Sequence, residues 1–204
     1  MIWTLVPAKS FAQAKSRLSP LLTPEQRIRL SVALLTRTVR IVGEAFGPAR
    51  LQVVSADSDV LALAGSLGVA GFSASTAGLN AQLAEAAAGI SPDARVLVLH
   101  ADLPTLQVDD LHALAAIPEA IAVCPDRHDV GTNALLQQPS GRGQFQFGPG
   151  SFERHCQAAG SEGNQAAVLR RRGLALDLDT PADWHECWPA PDPSFDTVLA
   201  GLSS

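Results

Sequence analysis

The sequence predicts an α/β domain built on a mainly parallel sheet with helices on both faces. Two observations lead there. Short apolar runs of strand length recur along the chain, and helical patterns separate most of them, the signature of βαβ units. In addition, 204 residues with 47% apolar and 17% charged side chains suit one globular core rather than a disordered chain.

The elements follow in order. An apolar run at Ile2–Val6 reads as the first strand. Thr23-Pro24-Glu25-Gln26 supplies an N-cap, a proline at N1 and a capping-box glutamine at N3. Ile28, Val32, Leu35, Val39 and Val42 continue one face of the helix it starts. Leu51–Ser55 is a strand, and Asp59–Leu67 and Asn80–Ala88 are helices. Arg95–His100 is the next strand, followed by a helix over Gln107–Ala116. Strands are expected at Ala120–Cys124, Ala134–Gln137 and Leu174–Leu178, with a helix over Ser151–Ala159 and another from Pro181 to about Trp188. Pro189, Pro191 and Pro193 break any continuation, so a single domain over 1–188 is expected, with 189–204 a tail or short docking segment.

Composition narrows the function classes. A net charge of −5 argues against a sequence-independent nucleic-acid binder, which needs a basic footprint. Cys124, Cys156 and Cys187 fit neither a disulfide framework nor a zinc site, and read as reduced thiols of a cytoplasmic protein. No signal peptide is visible, and no apolar run approaches the roughly 20 residues of a membrane-spanning helix. No histidine pair has zinc-protease spacing, and there is no G-x-S-x-G elbow, P-loop or G-x-G-x-x-G after the first strand.

In open α/β sheets, ligands bind beyond the carboxyl ends of strands, beside a switch in strand order. That rule brings several groups to one rim. Pro7, Ala8 and Lys9 leave the first strand, and Lys15 and Arg17 follow on the same loop, a cation cluster suited to a triphosphate. Asp102 ends the Arg95–His100 run and can hold Mg²⁺, a hard cation that prefers oxygen, or simply cap the next turn. Asp177 and Asp179, two apart on the expected last strand, would share one side of it. Two such carboxylates repel unless a cation or other donors lie between them; Asp179 can instead cap the helix at Pro181. Two turns, Gly131-Thr132-Asn133 and Gly148-Pro149-Gly150-Ser151, set backbone N–H groups beside hydroxyls and can grip an anion. Gly78 and Asn80 precede a helix, where they can touch a base or ribose or form an ordinary glycine turn with an Asn N-cap.

Together, Val6-Pro7-Ala8-Lys9 with Ala14-Lys15-Ser16-Arg17-Leu18, Ala101-Asp102-Leu103-Pro104, Pro125-Asp126-Arg127, Gly131-Thr132-Asn133-Ala134-Leu135, Phe147 through Phe152, and Leu176-Asp177-Leu178-Asp179-Thr180-Pro181 resemble the 2-phospholactate or phosphoenolpyruvate guanylyltransferases of deazaflavin coenzyme F-420 biosynthesis. The motifs run in order from Ile2 to about Trp184. The resemblance implies a three-layer, Rossmann-like nucleotide-diphospho-sugar transferase fold of the glycosyltransferase-A-like kind, with a mixed sheet. It implies GTP as donor, Mg²⁺ as cofactor, and a small phosphorylated carboxylic acid as acceptor. By this resemblance Thr132, Gly148 and Ser151 hold the acceptor, and Asp102, Asp177 and Asp179 manage the metal. His100 departs from the small or apolar residue expected before Ala101-Asp102. The sequence leaves open whether the acid is 2-phospholactate, phosphoenolpyruvate or 3-phosphoglycerate, and leaves the oligomeric state open. Rival readings are a nucleotidyltransferase of this fold acting on a sugar phosphate or molybdopterin-type acceptor, and a non-catalytic nucleotide-binding regulator.

Overall fold

The computed structural model describes residues 1–139, 145–161, 165–188 and 195–203. Pro189, Pro191 and Pro193 lie outside them. Seven strands form one sheet: β1 (Ile2–Pro7), β2 (Leu51–Ser55), β3 (Ala70–Ser73), β4 (Arg95–Leu99), β5 (Ile121–Pro125), β6 (Thr132–Gln137) and β7 (Ala166–Val168). Their spatial order is β3-β2-β1-β4-β6-β5-β7. All pairings are parallel except those of β6, which runs antiparallel to both β4 and β5, so the sheet is mixed and mainly parallel.

The helices are α1 (Pro24–Phe46), α2 (Ser58–Ser66), α3 (Leu79–Ala88), α4 (Val108–Ala115), α5 (Ser151–Ser161), the single turn α6 (Arg172–Ala175), α7 (Pro181–Cys187) and α8 (Phe195–Ser203). Strand alternation divides the core in two. Val6, Val53, Leu97, Leu99, Ala122 and Cys124 meet α1, α2 and α4 on one face. Leu5, Val54, Val96, Val98, Ile121 and Val123 meet α3 and α5 on the other. Because successive strand side chains point to opposite faces, each central strand feeds both layers. Each fully buried leucine or valine contributes about 1.5–3 kcal/mol of transfer free energy. Among the described residues, no helix is long and apolar enough to cross a membrane.

The capping box of α1 forms as expected: Thr23 Oγ1 accepts from Gln26 N, and Gln26 Oε1 accepts from Thr23 N. The buried stripe of α1 is wider than the sequence pattern indicated. Ile28 is 38% exposed, whereas Leu30 and Leu34 are buried against Leu18, Leu22, Leu178, Trp184, Val198 and Leu202. α8 packs on α1 and makes this third cluster, so α1 is covered on two sides.

Three expectations change. β3 and β7 form although the sequence reading left them out; both are short edge strands with little apolar alternation, where neighbours decide the pairing. The expected strand at Leu174–Leu178 is replaced by the α6 turn and an irregular segment. The cause lies next to it. Arg171 Nε donates to Asp110 Oδ1 at 2.6 Å, and Gly173 lies so close to Asp110 that a Cβ there would be 1.8 Å from Oδ2. The chain is drawn against the start of α4 and cannot lie flat as a strand. Finally, the residue that caps α3 is Gly78, at φ +91°, and not Asn80.

Candidate functional site

The strand order reverses between β1 and β4: β2 and β3 extend one way from β1, and β4 begins the other half. The carboxyl ends of β1, β4 and β5 share one rim. Because β6 is antiparallel, its first residues Thr132 and Asn133 lie on that rim too, in register with Pro125 and beside Leu99.

Asp102 is held there by α1. Thr38 Oγ1 donates to Ala101 O at 3.2 Å, and buried Arg37 donates to Pro104 O at 3.1 Å and Leu106 O at 2.9 Å. The irregular segment after α6 joins through Leu178 N, which donates to Asp102 O at 3.0 Å. Asp177 and Asp179 are thus brought to Asp102 by a long-range backbone bond and not by a common strand, which corrects the shared-strand expectation.

Lys15 closes the cluster. Its Nζ lies 2.8 Å from Asp102 Oδ2 and 2.9 Å from Asp179 Oδ1, with the side chain only 8% exposed. The residue adopts the left-handed region, φ +54°, which disfavours a residue with a Cβ by roughly 1–2 kcal/mol; the two ion pairs offset this. Burial works against the charged forms, but attraction prevails: Lys15 is held above the usual lysine range and Asp102 below the usual carboxylate range.

Asp177 is different. Burial, and then the neighbouring charge of Asp102, raise its carboxyl from 3.8 to about 6. Asn133 Nδ2 moderates this at 3.4 Å while also donating to Ala175 O at 3.2 Å. Two carboxylates, Asp102 and Asp179, therefore share the Lys15 ammonium, and Asp177 lies near enough to feel the charge of both. Asp102 Oδ1 is buried and has no partner among the described residues. An oxygen of this kind is the chemistry a hard divalent cation such as Mg²⁺ prefers, but among the described residues no group of three or more acidic, histidine or cysteine side chains is placed to hold a metal ion.

Asp179 is fixed through its backbone. Asp183 Oδ2 accepts from Asp179 N, Thr180 N and Thr180 Oγ1, and its Oδ1 accepts from Arg127 Nη2 at 2.6 Å. Thr180, not Asp179, is the N-cap of α7. Sequence reasoning passed over Asp183, although Thr180-x-x-Asp183 is a capping-box spacing that marks it.

The two turns are real, but the first spends its donors internally. Asp126 accepts from His128 N and Val130 N at 3.0 Å and from Gly131 N at 2.7 Å, so the Gly131 N–H is not offered to an anion. A Cβ on Gly131 would lie 2.6 Å from Asp126 Oδ2, which is why glycine stands there. In the second turn Gly148 and Gly150 have φ of +119° and +71°. Arg154 braces it, donating to Gln146 O at 2.9 Å and to Pro149 O. Phe152 N donates to Val130 O at 3.1 Å and ties the two turns together.

Thr132 and Ser151 are 2% and 1% exposed. Behind them lies His155, another residue the sequence reading overlooked; its place one helical turn after Ser151 was the available signal. Its Nδ1 is 3.0 Å from Thr132 Oγ1, and its Nε2 accepts from Gln146 N at 3.0 Å. Burial, then the charge of Arg154, lower its pKa to about 4. The ring of Phe147 lies between His155 and His100, with centroids 4.9 and 5.3 Å away. His100 Nε2 is buried without a partner among the described residues, and burial depresses its pKa.

The remaining candidates lie at the periphery. Pro7 and Ala8 leave β1 half-buried, and Ala8 N donates to Val54 O at 3.0 Å. Lys9 is exposed, yet near enough for its charge to act on His100. Arg17 is exposed on the 3₁₀ turn Ser16–Leu18 and joins none of the ion pairs of the described residues. Asn80 pairs with both backbone groups of Phe147, accepting from its N at 2.8 Å and donating to its O at 3.1 Å, which ties α3 to the second turn.

Comparison with known proteins identifies the fold and the family. A chain from Desulfovibrio desulfuricans G20, assigned to the nucleotide-diphospho-sugar transferases, superposes with a TM-score of 0.74 over 98% of this chain and 93% of its own, at 15% identity. That likeness shows the fold. A phosphoenolpyruvate guanylyltransferase of Sphaerobacter thermophilus is 40% identical over 187 residues, 89% of this chain and 90% of the relative. A 2-phospho-L-lactate guanylyltransferase of Methanothermobacter thermautotrophicus is 32% identical over 185 residues, 89% of this chain and 82% of the relative. Residues 2–188 match the guanylyl transferases described as CofC-like, and the chain is a nucleotidyltransferase belonging to that family.

Proposed function

We propose that the protein transfers GMP from GTP to the phosphate of phosphoenolpyruvate or 2-phospholactate, releasing pyrophosphate, as a step of coenzyme F-420 biosynthesis. The observation that carries this is the pairing of Lys15 with Asp102 and Asp179, with Asp177 close by, at the switch in strand order beside the two linked turns. Relatives named for both acids support the choice of acceptor.

The chemistry asks little acid–base help of the protein. A phosphate ester is largely ionised near neutral pH, with a second pKa of about 6. Its oxygen can attack the α-phosphorus of GTP without a general base. The residues must align two anions and offset the charge between them. Asp102, Asp177 and Asp179 would hold Mg²⁺, which supplies charge neutralisation at the triphosphate when bound. Lys15 faces the same oxygens once released from the aspartates, and Lys9 and Arg17 flank the triphosphate. Pro7, Ala8, Gly78 and Asn80 border the nucleoside; Thr132, Asn133, Gly148 and Ser151 border the acid.

The test is pyrophosphate release with GTP, ATP and CTP against phosphoenolpyruvate, 2-phospholactate and 3-phosphoglycerate, with and without Mg²⁺. Turnover is expected with GTP and one of the first two acids, and only with the metal. No release from any combination would end this reading.

A further inference from the structure

His155 is 2% exposed, and its two ring nitrogens have different partners. Nε2 faces the backbone N–H of Gln146. A backbone N–H can only donate, so Nε2 carries the lone pair, and the ring hydrogen of the neutral imidazole sits on Nδ1. Nδ1–H therefore donates to Thr132 Oγ1. The hydroxyl is committed as acceptor on that side, and its own hydrogen is left to donate. Among the hydrogen bonds of the described residues nothing accepts it, although Thr132 is almost fully covered. A covered donor without a partner is costly, so it marks a place for an acceptor.

The surroundings hold this arrangement. Phe147 meets the imidazole edge-on at 4.9 Å, and Asn80 fixes Phe147 by two backbone bonds. With its pKa lowered to about 4, the ring stays neutral at physiological pH, and the Nδ1–H tautomer persists.

We propose that His155 is a positioning residue that keeps the Thr132 hydroxyl hydrogen free to donate to an anionic oxygen of the phosphorylated acid; this rests on the guanylyltransferase reading above. A hydroxyl that donated to the ring would leave only lone pairs to face the acid; one that accepts from Nδ1–H keeps its hydrogen for an acceptor, although its second lone pair can still accept. The site gains a dipole oriented before the acid arrives, and a preference for an ionised oxygen at that point.

The test uses Thr132→Val, His155→Phe, His155→Asn and the Thr132→Val/His155→Phe double variant. Asparagine sets an amide N–H near the position of Nδ1, so it can still donate to Thr132. His155→Phe is expected to raise KM for the acid about tenfold, the size of one lost charge-assisted bond, with KM for GTP changed by less than about twofold. His155→Asn should stay within about threefold of wild type. If His155 acts through Thr132, the double variant is no worse than Thr132→Val alone. Additive losses, or a loss on the GTP side equal to that on the acid side, would overturn the proposal. NMR of the ¹⁵N-labelled wild-type imidazole reads the tautomer independently of any variant's folding: Nδ1–H is expected, and Nε2–H refutes it. If wild type turns over no acid, the functional reading falls and takes the acid half of this inference with it. An Nδ1–H ring in that same protein would show that the functional reading, and not the hydrogen-bond geometry, had failed.

Discussion

Replacing Asp177 by asparagine should stabilise the metal-free protein while weakening its response to Mg²⁺. The carboxyl is raised from 3.8 to about 6, first by burial and then by the charge of Asp102. A folded pKa raised above the unfolded one means that the folded state holds its proton more tightly. Stability from this group is therefore lost as pH rises from about 4 through about 6, and the penalty is constant above that. The rise from 3.8 to about 6 corresponds to about 3 kcal/mol. Asp177 is only half-buried, and solvent screening reduces this to about 1–2 kcal/mol. Asparagine keeps the shape and can still accept from Asn133 Nδ2, but carries no charge. At pH 8 without metal the variant should melt about 2–8 °C higher, at about 2–4 °C per kcal/mol for a chain of this size. The gain should vanish below about pH 4. Mg²⁺ should raise the wild-type melting temperature more than that of the variant, because bound cation relieves the repulsion the substitution has already removed. The assay is thermal denaturation across pH 4–8 with and without Mg²⁺. Equal melting temperatures at pH 8 would refute the electrostatic account, and equal Mg²⁺ shifts would refute the place of Asp177 in the metal site.

Asp102→Asn should leave the fold intact and reduce turnover more than about tenfold, a loss above about 1.4 kcal/mol in the barrier; a smaller loss in a steady-state assay would remove Asp102 from the metal site. Lys15→Ala should strand two carboxylates and destabilise the metal-free protein by about 1–3 kcal/mol, less than a fully buried pair because Asp179 is 43% exposed; Mg²⁺ should restore much of that in a melting experiment, while KM for GTP rises or kcat falls. Arg17→Ala, on an exposed turn without an ion pair among the described residues, should leave stability unchanged and act only on GTP kinetics; unaltered kinetics would return it to the solvated surface. Gly173→Ala would set a Cβ 1.8 Å from Asp110 Oδ2 and 3.0 Å from Thr105 O, and should cost about 1–3 kcal/mol in urea denaturation; a neutral result would show that the α6 turn yields easily.

What the sequence by itself determined is local. The two apolar sets in Leu5-Val6, Val96–Leu99 and Ile121–Cys124 alternate along their own strands, so the layered α/β class was legible. Thr23-Pro24-Glu25-Gln26 fixes the start of α1 within four residues, because a capping box is satisfied by its own segment. The acidic motifs and glycine turns were legible as chemistry for the same reason: residue type and close spacing define them.

Tertiary structure decided what depends on residues far apart in the chain. The direction of β6 follows from its pairing with β4 and β5, and no feature inside Thr132–Gln137 states it. Leu174–Leu178 carries a strand-like pattern, yet Asp110, more than sixty residues earlier, holds Arg171 at 2.6 Å and Gly173 in contact, and draws the chain into a helical turn. Gly131 resembled an anion donor until Asp126 took its N–H. Lys15 reaches Asp179 across 164 residues of sequence and adopts a left-handed backbone to do so. Propensity and periodicity describe a segment against its immediate neighbours. Ion pairs, strand direction and the hydrogen of a buried imidazole are settled only when distant segments compete for the same few polar atoms.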